Sequence, residues 1–352
     1  MIWLAAVFSF WSVEQRVIYN YKPLILLTII VSIIKPVIGI LLVTNAQNKV
    51  LARIFGILIV ELICYSGLFF VQMYRGKKFF SAKYWRYALL FNIPLLPHYL
   101  SQVILSTSDR IMISRLSSES EAGIYSLACS VSMIMTIFNS SLMSAISPWF
   151  YQRIKLKKLD ELKSVAYITM GVVAGVNLIL IAFAPEVIYI FAPEEYHDAI
   201  WIIPPVAMSV YFMFCYDLFA KFQFYYEKTK YIAGASIIGA IINIVLNYVF
   251  IPILGYYAAG YTTLFCYIIY TIAHYIFMRK VCKENLEGVK VYDIKVLLGI
   301  TLVFLIFGFL IMLTYNSMII RYLFIGIGII LAICNWKKIH KVLLKIVGIR
   351  KA

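Results

Sequence analysis

What this sequence lacks most is charge. Asp, Glu, Lys and Arg make up 14% of its 352 residues, against roughly a quarter in a soluble domain. That scarcity excludes a sizeable water-facing domain. Acidic residues are scarcer still, 16 against 32 Lys and Arg, and the stretches that separate apolar runs on one side are short. A membrane glycosyltransferase or polysaccharide polymerase needs a large outer loop carrying acidic catalytic residues, and there is no place for one. His98, His197, His274 and His340 are scattered, and no helical HExxH, phosphate loop or GxSxG occurs. Metal, nucleotide and nucleophile chemistry therefore has no motif to stand on. Six cysteines (Cys64, Cys129, Cys215, Cys266, Cys282 and Cys334) show no CxxC spacing, which points to free apolar thiols. The apolar start, residues 1–11, has neither the basic opening nor the small-residue cleavage site of a signal peptide.

What is present is apolar length. Hydrophobic residues reach 63% and mean hydropathy is +0.90. Runs near 20 apolar residues mark membrane-spanning helices. The sequence predicts one partial span over 1–11 and full spans over 23–43, 51–73, 84–106, 122–149, 165–184, 199–220, 231–251, 256–278, 296–315 and 319–336. The expectation is an all-α polytopic membrane protein. All the Lys and Arg except Lys35, Lys49, Arg53, Arg110, Arg115 and Arg321 fall in one set of alternate loops. Basic loops mark the cytoplasmic face, so the C-terminus is expected to be cytoplasmic. The net charge of +16 thus reflects topology and attraction to anionic lipid headgroups, not nucleic-acid binding. The longest outer loop, 185–198, holds four acids and no Lys or Arg, and its PEVIYIFAPEEY stretch reads as an interfacial segment.

One span departs from a plain anchor. It carries Asn92, Pro94, Pro97, His98, Ser101 and Gln102, ends on Asp109-Arg110, and leads through a polar turn into Glu121-Ala-Gly-Ile-Tyr-Ser-Leu-Ala. Polar groups inside a span face a bundle interior or a watery cavity, and prolines there need neighbours that re-satisfy freed carbonyls. Far downstream lie Asn243-x3-Asn247-x4-Pro252-x2-Gly255 and Ala259-Gly260-x-Thr262.

In their order, spacing and helix context these two motifs resemble the seventh helix and the eleventh-to-twelfth helix hairpin of polysaccharide exporters. These are the O-antigen and capsule-type lipid-linked oligosaccharide flippases of the multidrug/oligosaccharidyl-lipid/polysaccharide (MOP) superfamily. The resemblance implies a MOP/MATE-like helical bundle of two six-helix lobes with two extra helices. Residues 84–278 match the six-helix second lobe, 296–336 the extra pair, and 337–352 a basic cytoplasmic tail. Residues 1–73 supply only an incomplete first lobe, so the sequence is expected to lack about three and a half helices at its N-terminus. A cavity wall bearing Asn92, His98, Asn139 and Asn243 is then expected to be left uncovered.

The function so implied is transport of an undecaprenyl-diphosphate-linked oligosaccharide from the inner to the outer leaflet of the cytoplasmic membrane by alternating access. No cofactor is implied; coupling to a proton or sodium gradient is. The implied partners are the lipid-linked oligosaccharide, membrane lipids and the polysaccharide polymerase machinery. The alternatives are a MATE-type multidrug or cation antiporter and a non-functional truncated remnant, with a membrane glycosyltransferase behind both.

The candidate cavity residues are Lys35, Glu61, Asn92, His98, Asp109, Arg110, Asn139, Asn243 and Asn247. At 1.5 Å per residue, Lys35 sits ~18 Å from the inner end of its span and Glu61 ~15 Å from the outer end of the next, hence at matching depth. They are either a mutually neutralising pair or a cavity cation for a diphosphate with its neighbour. Asp109-Arg110, placed at the outer end of its helix, is either a local anchor or a gate. His98 is either a core imidazole or a proton-coupling group. The asparagines bond either sugar hydroxyls or neighbouring helices. Asp217 and Lys221, one turn apart, are expected to pair.

Overall fold

The computed structural model describes residues 1–78 and 80–334, and every regular element among them is helical. Nine of these helices are long and apolar enough to cross a membrane, which makes the chain a multi-pass membrane protein. The tenth expected full span, 319–336, runs beyond the described residues; its described part, α13 (Met318–Cys334), has 17 residues. The expected basic tail, 337–352, lies outside the described residues altogether.

Two compact units divide at Leu89 and Leu90. In the first, α1 (Ile2–Val17), α2 (Tyr21–Asn45) and α3 (Lys49–Gly76) pack together. A three-residue turn joins α2 to α3, and the Asn48 side chain caps α3 by accepting from Leu51 N at 3.1 Å, satisfying one of the free amides of a helix start. α3 ends where Lys77 turns left-handed at φ 54°. Small residues set the crossing of α2 and α3. A Cβ on Gly56 would lie 3.0 Å from the Gly39 Cα, so the two backbones touch, the usual way helices associate when lipid removes the hydrophobic drive. Below the crossing, Val31, Val60 and Tyr65 form a small core with Leu4 of α1.

The prolines expected to break the next span do so only locally. α4 (Ala82–Asn92) tightens into a 3-10 turn at Ile93–Leu95 and continues as α5 (Leu96–Leu116). This corrects the sequence-based end of that span. The helix does not stop near residue 106, and Asp109 lies inside it, two turns from its end, 3% exposed. Ser106 and Thr107 turn their hydroxyls onto the Val103 carbonyl, so these two polar side chains persist in the helix with partners of their own.

The second unit is built around α9 (Ile203–Tyr225), apolar around its whole circumference and therefore buried. α6 (Glu119–Lys155), α7 (Leu159–Ala182), α11 (Tyr257–Asn285) and α12 (Ile294–Leu313) pack on it, and α10 (Thr229–Leu254) lies between α5 and α11. Ser118 caps α6 through its hydroxyl. The stretch expected to be an interfacial segment forms α8 (Ala184–Phe191) and a 3-10 helix, Glu194–Trp201. α12 seats Gly308 against Met208 of α9, and Tyr211 reaches across to Thr301 at 3.1 Å. α13 is tied back by Arg321, which is buried and ion-paired with Glu186, and Tyr315 donates to the Ile181 carbonyl at 2.5 Å.

The expectation of an uncovered polar wall is overturned for three of its four residues. His98, Asn139 and Asn243 are 8%, 7% and 0% exposed, because partners in the second unit cover each of them. Only Asn92, the last residue of α4, is exposed.

A buried polar seam as the candidate functional site

Three helices carry polar residues at matching helical intervals. α5 places His98, Gln102 and Asp109 on one face; α10 places Ser236, Asn243 and Asn247; α11 places Thr263, Tyr270 and His274. Steps of three, four or seven residues keep side chains on one face of a helix, so three polar stripes meet where α10 packs between α5 and α11. The seam spans the 11 residue steps from His98 to Asp109, about 16 Å of helix.

At one end of the seam stands Asp109. Tyr125 of α6 and Thr263 of α11 each donate to Oδ2 at 2.7 Å, and Asn247 Nδ2 donates to Oδ1 at 2.6 Å. A second layer orients these donors. Thr262 donates a short hydrogen bond to Asn247 Oδ1, Asn243 Nδ2 donates to Thr263 at 3.3 Å, and Ser108 donates to Asn243 Oδ1 at 3.2 Å. Among the described residues no Lys or Arg forms an ion pair with Asp109. Even its neighbour Arg110 turns away, toward Cys129 of α6, with its buried Nε unpartnered. The pair does not stand at the end of its helix, which runs on to Leu116, and the two residues serve different faces of α5.

A carboxylate without a cation in a span is costly, even when hydrogen-bonded. Asp109 is held by neutral donors only, and around it cluster the oxygens of two amides and two hydroxyls. That is the chemistry of a proton or small hard cation site, since such cations take carboxylate, amide and hydroxyl oxygens. Among the described residues no group of three or more His, Cys, Asp and Glu could hold a metal, so a soft or transition metal has no ligand set here.

Deeper in the seam, His98 Nδ1 and the Ser236 hydroxyl lie 2.5 Å apart. The same hydroxyl lies 2.5 Å from the Tyr270 phenol, which accepts from Gln102 at 3.1 Å. His274 follows one turn along α11, with Nδ1 3.1 Å from Gln223 Oε1 of α9 and its buried Nε2 unpartnered. The sequence singled out His98, Asp109, Asn243 and Asn247, and the structure brings them into one seam. It missed Tyr125, Thr263, Ser236, Tyr270 and Gln223; the seven-residue step from Thr263 to Tyr270 and the four to His274 were the available signal.

The other candidates have partners of their own. Asn139 of α6 donates to the Val210 carbonyl at 2.8 Å, a packing bond between helices. Asp217 and Lys221 pair at 3.2 Å. In the first unit Lys35 Nζ meets Glu61 Oε1 at 2.7 Å, with Lys35 over the Tyr65 ring. The expected free thiols are free at Cys64, Cys129, Cys215, Cys266 and Cys282; the side chain of Cys334 lies outside the described residues.

A family model described as MatE matches residues 94–249, which hold His98, Asp109, Asn139, Asn243 and Asn247. A second, described as a polysaccharide biosynthesis protein, matches residues 19–154. A protein of the Lsg locus of Haemophilus influenzae is 26% identical over 201 residues, 54% of this chain and 50% of that protein. An uncharacterized membrane protein of the same organism is 25% identical over 201 residues, 56% of this chain and 49% of that one. The chain therefore spans about half the length of the curated relatives it matches. No solved structure matches it significantly. With nine helices able to span a membrane among the described residues, the chain is a polytopic membrane protein that is similar over part of its length to the MatE family and over another, overlapping part to polysaccharide biosynthesis proteins.

Proposed function

We propose that this chain forms part or all of a transporter that moves a lipid-diphosphate-linked oligosaccharide from the inner to the outer leaflet by alternating access. The cycle is driven by a proton or sodium gradient read at Asp109. The observation that carries the reading is the Asp109 site itself: a lone buried carboxylate faced by neutral donors from three other helices. Binding a cation there neutralises the charge and draws α5, α6, α10 and α11 together. Release leaves four helices sharing an uncompensated anion. A site with two such arrangements is what a gradient needs to bias a conformational equilibrium. The polysaccharide biosynthesis match over residues 19–154 supports the choice of cargo. The alternating basic loops support a cytoplasmic C-terminus.

The MatE match favours a second reading, efflux of organic cations against the same ion. Reconstitution separates the two. The chain, in vesicles loaded with a fluorescent polyprenyl-diphosphate disaccharide, is exposed to an imposed sodium or pH gradient. Gradient-dependent arrival of the sugar at the outer leaflet, lost in Asp109→Asn, is the expected result. Accumulation of a cationic dye without sugar movement would replace the cargo, and sugar movement insensitive to both gradients would remove Asp109 from the mechanism.

A further inference from the structure

The end of the seam away from Asp109 holds two imidazoles, His98 of α5 and His274 of α11. Seven residue steps of α10, about 10 Å, separate Ser236 at this end from Asn243 beside Asp109. We propose that His98 and His274 together bind one proton, at a site of their own distinct from the cation site at Asp109. The inference rests on the gradient-driven reading of the seam for its use in transport; the site itself rests on its hydrogen bonds.

The donor count at His274 leaves one nitrogen unused. Gln223 Nε2 of α9 donates to the His274 carbonyl at 3.0 Å, which turns Gln223 Oε1 toward His274 Nδ1, 3.1 Å away. An amide oxygen only accepts, so Nδ1 carries the proton of the neutral ring and Nε2 keeps a bare lone pair. That atom is buried without a partner, in a residue with 0% exposure. A proton adds to such a lone pair directly: one N–H bond forms, none breaks, and the ring becomes a cation. The rings of Tyr270 and Tyr216 stand 4.5 and 5.3 Å away, within the range over which aromatic faces attract a cation.

His98 is served in either protonation state. Ser236 has one hydroxyl proton and two acceptors in reach, the Ile232 carbonyl at 2.9 Å and His98 Nδ1 at 2.5 Å. Pointed at Nδ1, the hydroxyl serves a bare nitrogen. Pointed at Ile232, it frees lone pairs that accept from a protonated Nδ1 and from the Tyr270 phenol, 2.5 Å away. One hydroxyl rotation therefore leaves no donor stranded in either state. The titratable groups that face the two rings are Tyr99 of α5, Tyr216 and Asp217 of α9, and Tyr270 of α11. α10 faces them with the neutral Ser236. Asp217 is the one carboxylate among these, and Lys221 pairs with it at 3.2 Å, so the surroundings support one added charge rather than two. Each ring also lies in the other's field, and two cations there would repel. A charge in a span is costly unless water or a partner reaches it, which links uptake of the proton to opening of the seam.

The test is solid-state 15N NMR of the full chain in lipid bilayers, labelled at histidine, from about pH 8 to the acid limit of folding. The four histidines follow four different residues, Pro97, Tyr196, Ala273 and Ile339, so labelling the preceding carbonyl assigns each signal in the wild type. At high pH His274 is expected to show a protonated Nδ1 and a bare Nε2. Acidification is expected to convert the bare signal to N–H with one proton taken up by the pair, and His98→Gln to shift the midpoint at His274. Asp109→Asn is expected to keep this titration; its loss there would place the proton at Asp109 and overturn the proposal. A bare Nε2 retained at every pH would overturn it as well, and so would two protons bound with a His274 midpoint unmoved by His98→Gln. Titration of the pair in a chain that moves no sugar would remove the transport reading alone.

Discussion

Asp109 Oδ1 accepts a 2.6 Å hydrogen bond from Asn247 Nδ2, tying α5 to α10 across 138 residues of sequence. The bond is one of three neutral donations to a carboxylate that meets no cation among the described residues, and the two substitutions that probe it have different consequences. Asp109→Ala leaves Tyr125, Thr263 and Asn247 with donors and no acceptor, at about 1–3 kcal/mol for each. Asp109→Asn keeps the volume and one acceptor oxygen. Thermal unfolding in detergent should rank wild type, Asp109→Asn and Asp109→Ala in falling order, with ion-dependent transport lost in both variants. Full ion dependence in Asp109→Asn would exclude the carboxylate as the coupling group.

How much of this site was legible beforehand is set by what a single helix can show. His98 and Asp109, or Asn243 and Asn247, stand out because they are polar where lipid should be. Tyr125 is one tyrosine among 27, and Thr263 is a residue any span tolerates. Their roles arise only when α6 and α11 meet α5, a tertiary event that periodicity along one helix does not encode. The misplaced end of α5 has the same origin. Ser106 to Arg110 reads as a helix exit when judged against lipid, but inside the second unit Ser106, Thr107, Ser108 and Asp109 each find a partner, and the helix runs on to Leu116. The depth match of Lys35 and Glu61 was readable because only a short turn joins their two helices.

Asn139 provides the contrast to Asp109. Its amide donates to the Val210 carbonyl and joins α6 to α9, so its part is packing. Asn139→Ala should cost about 1 kcal/mol and lower membrane abundance, with transport per folded molecule unchanged. Transport lost at normal abundance would instead place Asn139 on the cargo path.

Lys35 and Glu61 lend themselves to a stability cycle independent of any ligand. Removing one partner leaves the other charge in a span, a loss of about 3–5 kcal/mol for a buried pair; the partial exposure of Lys35 puts Lys35→Ala toward the low end. The double variant Lys35→Met/Glu61→Leu should recover most of the unfolding temperature. Additive losses would show that the two side chains are not coupled.

Gly308 tests how α12 is held. A Cβ there meets the Met208 Cε at 2.5 Å. Because that methyl is the end of a flexible side chain, Gly308→Ala should be mild. Gly308→Leu cannot be absorbed so easily and should cost about 1–3 kcal/mol, read as early protease sensitivity of the 286–293 connection. Equal protease resistance in both variants would mean that α12 is not seated through this contact.

The orientation of the second unit can be settled with three positions. Residues 155 and 283 lie at the ends of α6 and α11 on the basic side, and residue 194 starts the 3-10 helix on the acidic side; all three are exposed. Basic loops face the cytoplasm, so in intact cells an impermeant thiol reagent should label Glu194→Cys and spare Lys155→Cys and Lys283→Cys until the membrane is opened. Among the described thiols, Cys215, Cys266 and Cys282 are buried and Cys64 and Cys129 lie half-buried within helices, so these interfere little. The parent chain serves as the blank for any remaining reaction. Labelling at 155 and 283 with protection at 194 would invert the unit. An inverted unit would put the Asp109 end of the seam on the cytoplasmic side, and inward-directed ion coupling would then have to begin from the His98 end.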